Sequence, residues 1–121
     1  MATVTIYGLD NSESTKDARD YFLECDGSVR YVDLSIHGID SVDLHRFLCA
    51  FPLADLVDTE GTTYKELAGK RDAVPQGELM SRIGLTPGLL RLPLVRGGGR
   101  LAVGDDEKGW SRIALGISSK G

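Results

Sequence analysis

Sulfur is scarce in this chain. Of 121 residues only Cys25 and Cys49 are cysteines, and they form no Cys-x-x-Cys pair. That count excludes a disulfide framework of the secreted kind. Both fall in segments with helical apolar spacing, which predicts two small buried hydrophobes. Histidine is equally sparse: His37 and His45 have no ligand spacing to a cysteine or carboxylate cluster, so no metal site is expected. Basic charge is in deficit, with 14 Lys and Arg against 18 Asp and Glu, a net charge of −4 and no basic run. Nucleic acid is therefore not an expected partner. No apolar run approaches a membrane span, and the N-terminus lacks the apolar core of a signal peptide, so the expectation is a cytoplasmic protein with no membrane contact. Residues 97–99 are three glycines, but no helix start and no Lys-Ser/Thr follow, which leaves a hairpin turn rather than a phosphate loop.

What remains is an ordinary globular composition, 41% hydrophobic and 26% charged, at a length that suits one domain over residues 1–121. Val4 and Ile6 alternate with threonines in a short β-branched run, a strand pattern. Ala18, Tyr21, Phe22 and Cys25 recur at i, i+3, i+4 and i+7, the apolar face of a helix that Asp26, Gly27 and Ser28 end. Residues 29–34 read as a second strand, which completes a βαβ unit with parallel strands. The middle is helical. Ser41 is placed to cap a helix carrying Leu44, Phe47 and Leu48, with Pro52 breaking it. Leu53, Leu56 and Val57 make a short piece, Tyr64, Leu67 and Ala68 a helix, and Leu79, Met80 and Ile83 another. Residues 92–95 and 100–103 flank the glycines as an antiparallel hairpin. A last helix carries Trp110, Ile113 and Ala114, opened by Asp105, Asp106 and Glu107, before a frayed tail at residues 117–121. The order βαβ, helices, ββα predicts an α/β thioredoxin-like fold with a four-stranded mixed sheet. The helical insertion covers about residues 41–88.

The first strand, loop and helix start present one side chain, Ser12, at a helix N-terminus, where N–H groups and the dipole favour negative charge. A thiol there would be activated by a lowered pKa, whereas a serine hydroxyl is too weak an acid for that field to ionise. Two readings of Ser12 stand. It is either an N-cap or the occupant of a position that belongs to cysteine or selenocysteine. No His base and carboxylate orienter accompany it, so a hydrolase triad has no support. Asn11, Ser14 and Thr15 offer polar contacts that either cap the helix or form a nest for a carboxylate such as that of glutathione.

Three blocks carry a family resemblance. They are Ile6-Tyr7-Gly8 with Asn11 and Lys16-Asp17-Ala18-Arg19; Thr59 with Gly61-Thr62-Thr63-Tyr64-Lys65-Glu66-Leu67; and Leu89-Leu90 with Pro93-Leu94-Val95. On these the chain resembles the arsenate reductase (ArsC)/Spx family, nearest its YffB-type branch. The resemblance implies a thioredoxin-like fold and a cysteine that attacks arsenate or a disulfide, regenerated by glutathione or a second thiol, with no bound cofactor. It puts that cysteine's place on Ser12 and the second Spx cysteine's place on Thr15, so both sulfur positions carry hydroxyls. Without a thiolate the chain is not expected to exchange disulfides. The resemblance also implies three oxyanion-holding arginines at positions occupied here by Glu60, Leu92 and Asp105, with Arg91 one residue early. Carboxylates in place of guanidinium forks repel an oxyanion, which disfavours arsenate. Glu60 is either a pocket-lining residue or a solvated loop charge, and Pro93 resembles the cis-proline facing the active-site loop of such folds. Two functions follow: a glutathione-linked thiol oxidoreductase, active only if position 12 is natively cysteine or selenocysteine, and a non-catalytic module that holds a thiol, a peptide or, by analogy with Spx members, a partner protein.

Overall fold

The computed structural model describes residues 3–25 and 28–118. The helix stop expected at Asp26 and Gly27, and the tail at residues 119–121, lie outside the described residues. Two compact units emerge. One is Met1–His37 together with Leu92–Gly121, and the other is Gly38–Arg91.

In the first unit the β-branched run forms β1, Thr3–Gly8, with Val4 and Ile6 buried. α1, Glu13–Leu23, buries Ala18 and Phe22 at i and i+4. β2, Ser28–Asp33, then lies parallel to β1 in a register that opposes Val4 to Val29, Ile6 to Tyr31 and Gly8 to Asp33. β3, Leu94–Gly97, runs antiparallel on the other side of β1 and pairs with β4, Arg100–Val103, so the sheet order is β2-β1-β3-β4. The two residues between β3 and β4, Gly98 and Gly99, have φ of 57° and 78°. A two-residue hairpin of type I′ needs positive φ at both central positions, and glycine supplies it without steric cost.

α6, Glu107–Ser118, opens where the Asp106 carboxylate accepts from the Gly109 N–H at 3.1 Å and the Asp106 carbonyl accepts from the Trp110 N–H at 2.9 Å. The core gathers Val4, Ile6, Ala18, Phe22, Val95, Ala102, Trp110 and Ile113, drawn from the sheet, α1 and α6. Burying a side chain such as Phe22 or Ile113 contributes about 1.5–3 kcal/mol.

The second unit is helical: α2, Ser41–Ala50; α3, Leu53–Leu56; α4, Thr62–Ala68; α5, Gln76–Arg82; and a 3-10 turn at Pro87–Leu89. Pro52 and Pro75 stand at the N-caps of α3 and α5, where a missing N–H costs nothing. Arg71 ties α4 to α5. Its guanidinium donates to the Leu67 and Ala68 carbonyls and forks onto the Glu78 carboxylate at 2.8 and 3.1 Å. The Glu78 carboxyl is consequently held below its usual range.

Three sequence expectations are corrected. Asp40, not Ser41, caps α2, its carboxylate accepting from the Val42 N–H at 2.7 Å, which makes Ser41 the first helical residue. Neither cysteine is buried: Cys25 lies beyond the end of α1 and is half-buried, while Cys49 is exposed. α2 buries Phe47, and a residue two positions on points about 200° away around the helix. The last helix extends through Ser118, into the expected tail.

Candidate functional site

The sheet register brings several predicted positions to one end of the first unit. Tyr7 opposes Leu94 and Leu94 opposes Val103, so the turn leaving β1, the residue entering β3 and the residues leaving β4 share that end. The Gly104 N–H donates to the Pro93 carbonyl at 2.9 Å, and the Leu92–Pro93 peptide is cis.

Between Gly8 and α1 the chain makes a four-residue turn, closed by the Ser12 N–H donating to the Leu9 carbonyl at 3.0 Å, with Asp10 and Asn11 in the middle. Ser12 then takes extended φ and ψ of −90° and 119°, and its Oγ accepts from the Thr15 N–H at 3.2 Å. The first intrahelical bond runs from the Lys16 N–H to the Ser12 carbonyl at 3.1 Å, so the N–H groups of Glu13 and Ser14 precede it. These are the groups that make a helix N-terminus electropositive. Ser12 and Ser14 are half-buried and Asn11 is exposed. Thr15 differs from them: it is fully buried, and its hydroxyl has no partner among the described residues. A Cβ added to Gly8 would collide with the Thr15 side chain, so β1 and the first turn of α1 are in close contact there.

Asp10 is held from two sides by residues that the sequence reading did not single out as a cluster. The Tyr31 hydroxyl, on β2, donates to the Asp10 carboxylate at 2.9 Å, and the Arg19 guanidinium, on α1, lies 3.9 Å from it. Arg19 also sits over the Tyr31 ring, 4.2 Å from its centroid, a cation–π arrangement. Burial, followed by the hydrogen bond and charge of Asp10, pushes the Tyr31 phenol up to about 12. No sequence signal joins positions 10, 19 and 31; the parallel pairing of β1 with β2 brings them together.

Glu60 and Arg91 belong to the second unit, whereas Asn11, Ser12, Ser14, Thr15 and Pro93 belong to the first. Glu60 is exposed in the turn before α4, its N–H donating to the Asp58 carboxylate at 3.3 Å. Arg91 is exposed too; its N–H donates to the Leu56 carbonyl at 2.7 Å and its Nε to the Val57 carbonyl at 3.4 Å.

A cleft of about 370 Å³ in the first unit is lined by Asp17, Asp20, Tyr21, Glu24, Asp105, Glu107 and Trp110. Five carboxylates and no cation line it, which makes it hostile to an oxyanion. The i, i+3, i+7 spacing of Asp17, Asp20 and Glu24 was the available sequence signal, since it sets all three on one helix face. Among the described residues no group of three or more His, Cys, Asp or Glu side chains could hold a metal ion, and no helix is long and apolar enough to cross a membrane.

The fold has counterparts. The model of the ArsC family matches residues 7–113. A YffB protein superposes with a TM-score of 0.78 at 23% identity, covering 92% of this chain and 98% of its own. An arsenate reductase (ArsC) related protein from Brucella melitensis has a TM-score of 0.68 at 27% identity, covering 91% and 92%. An arsenate reductase from Vibrio cholerae has a TM-score of 0.75 at 15% identity, covering 92% and 97%. No curated protein matches the chain.

Proposed function

The chain belongs to the ArsC family, and from that premise we propose that it is a glutathione-linked thiol–disulfide oxidoreductase scaffold whose reacting position is occupied by Ser12, so that the Ser12 form holds a thiol or disulfide partner without exchanging sulfur with it. The observation that carries the reading is the place of Ser12. Its side-chain oxygen stands at the N-cap of α1 and takes the Thr15 N–H, and the N–H groups of Glu13 and Ser14 precede the first intrahelical bond. A sulfur at that place would gain from the same donor and the same dipole as an anion, which lowers a thiol's pKa. Such a thiolate would attack one sulfur of a disulfide, break the S–S bond and release the other sulfur as a thiolate. A glutathione thiolate would then attack the mixed disulfide, restoring the thiolate at position 12 and carrying away the first sulfur as a new disulfide. The Ser12 hydroxyl holds its proton at neutral pH and performs neither step.

On this reading Asn11 and Ser14, exposed and half-buried beside the helix start, orient a glutathione carboxylate or a peptide, and Pro93, just before β3, is at their end of the sheet. Arsenate is a poor substrate on this reading, because Glu60, Leu92 and Asp105 stand where the family resemblance puts oxyanion-holding arginines. The cytoplasm, where glutathione keeps thiols reduced, fits the two free cysteines. One observation favours binding without turnover as the role of the chain with serine: the hydroxyl is already engaged as a cap.

The test is the Ser12→Cys variant. Its thiol should titrate below the free value of about 8.5 and turn over small disulfides with glutathione, while arsenate is left unreduced. The unsubstituted chain should show glutathione-dependent NMR shifts at Asn11, Ser12 and Ser14 with no turnover. An ordinary, inert thiol in the variant sinks the oxidoreductase reading.

A further inference from the structure

The turn that carries position 12 has only one internal hydrogen bond, from the Ser12 N–H to the Leu9 carbonyl. Ser12 itself is tied to α1 through the Thr15 and Lys16 N–H groups, and the long-range anchors of the turn converge on one side chain. Asp10, at the second position of the turn, is gripped by the Tyr31 hydroxyl from β2 at 2.9 Å and by the Arg19 guanidinium from α1 at 3.9 Å. Arg19 and Tyr31 also brace each other, the guanidinium lying 4.2 Å from the ring centroid. A planar guanidinium can stack on a ring and face a carboxylate at once, which an ammonium cannot do as well. The cluster therefore fastens the turn to the strand on one side and to the helix on the other.

We propose that Tyr31 and Arg19 are positioning residues for position 12, acting through Asp10 to hold the Leu9–Ser12 turn against the N-terminus of α1 and to neutralise the one carboxylate inside that turn. The inference rests on the reading of position 12 as the reacting position. Asp10 lies two residues before that position, and an unpaired carboxylate so close opposes the helix dipole and disfavours an anion there. Tyr31 and Arg19 answer that charge with a hydrogen-bond donor and a cation. The other carboxylate acting on Tyr31 is Asp33, at the end of β2, which is itself occupied by the Ser35 N–H and hydroxyl at 2.9 and 2.7 Å. The two residues touch no substrate in this role. They set the geometry and the electrostatics of the atom that does.

The experiment reads thiol ionisation at position 12 in the Ser12→Cys protein, from the pH dependence of iodoacetamide alkylation at that peptide, resolved from Cys25 and Cys49 by mass spectrometry. Tyr31→Phe keeps the ring under Arg19 and removes only the donor to Asp10; it should raise the apparent thiol pKa by about 0.5 unit, the size of a charge effect at short range in a wet site. Asp10→Asn should lower it by a similar amount, and adding Tyr31→Phe to Asp10→Asn should change nothing further. Arg19→Gln should act like Tyr31→Phe, with Arg19→Lys recovering most of the loss. A merely structural cluster would move every variant in the same direction, and that result, or additive effects of Tyr31→Phe and Asp10→Asn, or no shift, overturns the inference. Should the parent thiol titrate at its ordinary value and remain inert, the oxidoreductase reading fails, and the opposed shifts of the variants still decide the role of Tyr31 and Arg19.

Discussion

Thr15 illustrates how much of the site turns on single atoms. Its hydroxyl is buried without a partner among the described residues, and its methyl and hydroxyl together occupy the space that Gly8 leaves by having no Cβ. Two outcomes follow at this scale. Thr15→Val keeps the shape and removes the unsatisfied hydroxyl, so the urea midpoint should hold or rise by up to about 1 kcal/mol in stability; a clear loss would show that the hydroxyl has a partner. Gly8→Ala should cost about 1–3 kcal/mol by overpacking, and Thr15→Ala in the same chain should show favourable coupling of about 0.5 kcal/mol or more. The sequence made Ser12 legible as a helix-start residue, because a polar side chain between a strand and an apolar-periodic run has few other uses. It could not reveal that Thr15 turns inward while Ser14, one residue earlier, remains half-buried, since that depends on the close approach of β1 to α1. Nor could it pair Asp10 with Tyr31, which are 21 residues apart.

Among the elements, α4 and α5 are short helices that have little capacity to stand alone. Gly61 and Pro75 at their N-caps provide no side-chain cap bond, so their ends depend on other contacts. Arg71 supplies them, closing the C-terminal carbonyls of α4 and clamping Glu78 in the first turn of α5, while the Tyr64 hydroxyl accepts from the Val74 N–H at 3.0 Å in the connection between them. The Glu78 carboxyl is lowered from 4.5 by this arrangement. A carboxyl lowered in the folded state binds fewer protons than in the unfolded state, so its contribution is present above pH 4.5 and fades as the pH falls through the lowered value. Glu78→Gln should therefore reduce stability more at pH 7 than at an acidic pH well below 4.5, as urea titrations at the two pH values would show. Equal losses at both pH values would mean the pair acts through shape alone. Element identity was readable from apolar periodicity for the helices and the first two strands, and the hairpin from its glycines, whereas the 3-10 turn at Pro87–Leu89 carried no such signal and β3 begins at Leu94 rather than at residue 92. Caps and exposure were less so: Asp40 and Ser41 are equally good capping types, and periodicity locates the apolar face of α2 without saying how wide its cover is, which is why Cys49 emerges exposed beside His45 at 3.3 Å.

For the molecule as a whole, negative charge is unevenly placed. Asp17, Asp20, Glu24, Asp105 and Glu107 crowd the cleft of the first unit, and none has an ion-pair partner among the described residues. Raising salt from 10 to 150 mM shortens the screening length from about 30 to about 8 Å, which relieves such crowding. Stability should rise by roughly 0.5 kcal/mol over that range, and Asp20→Asn with Glu24→Gln should remove part of the gain; a fall with salt would show that attraction dominates this surface. The first unit is also discontinuous in the chain, its two parts separated by the whole of Gly38–Arg91. During synthesis β1 and β2 leave the ribosome while β3, which completes the central pairing of the sheet, is still untranslated. At about 5–20 residues per second that interval is roughly 3–12 s, long enough for the nascent strand pair to need shielding. Val4 and Ile6, which the finished protein hides, are thus the stretch on which a chaperone has its opportunity.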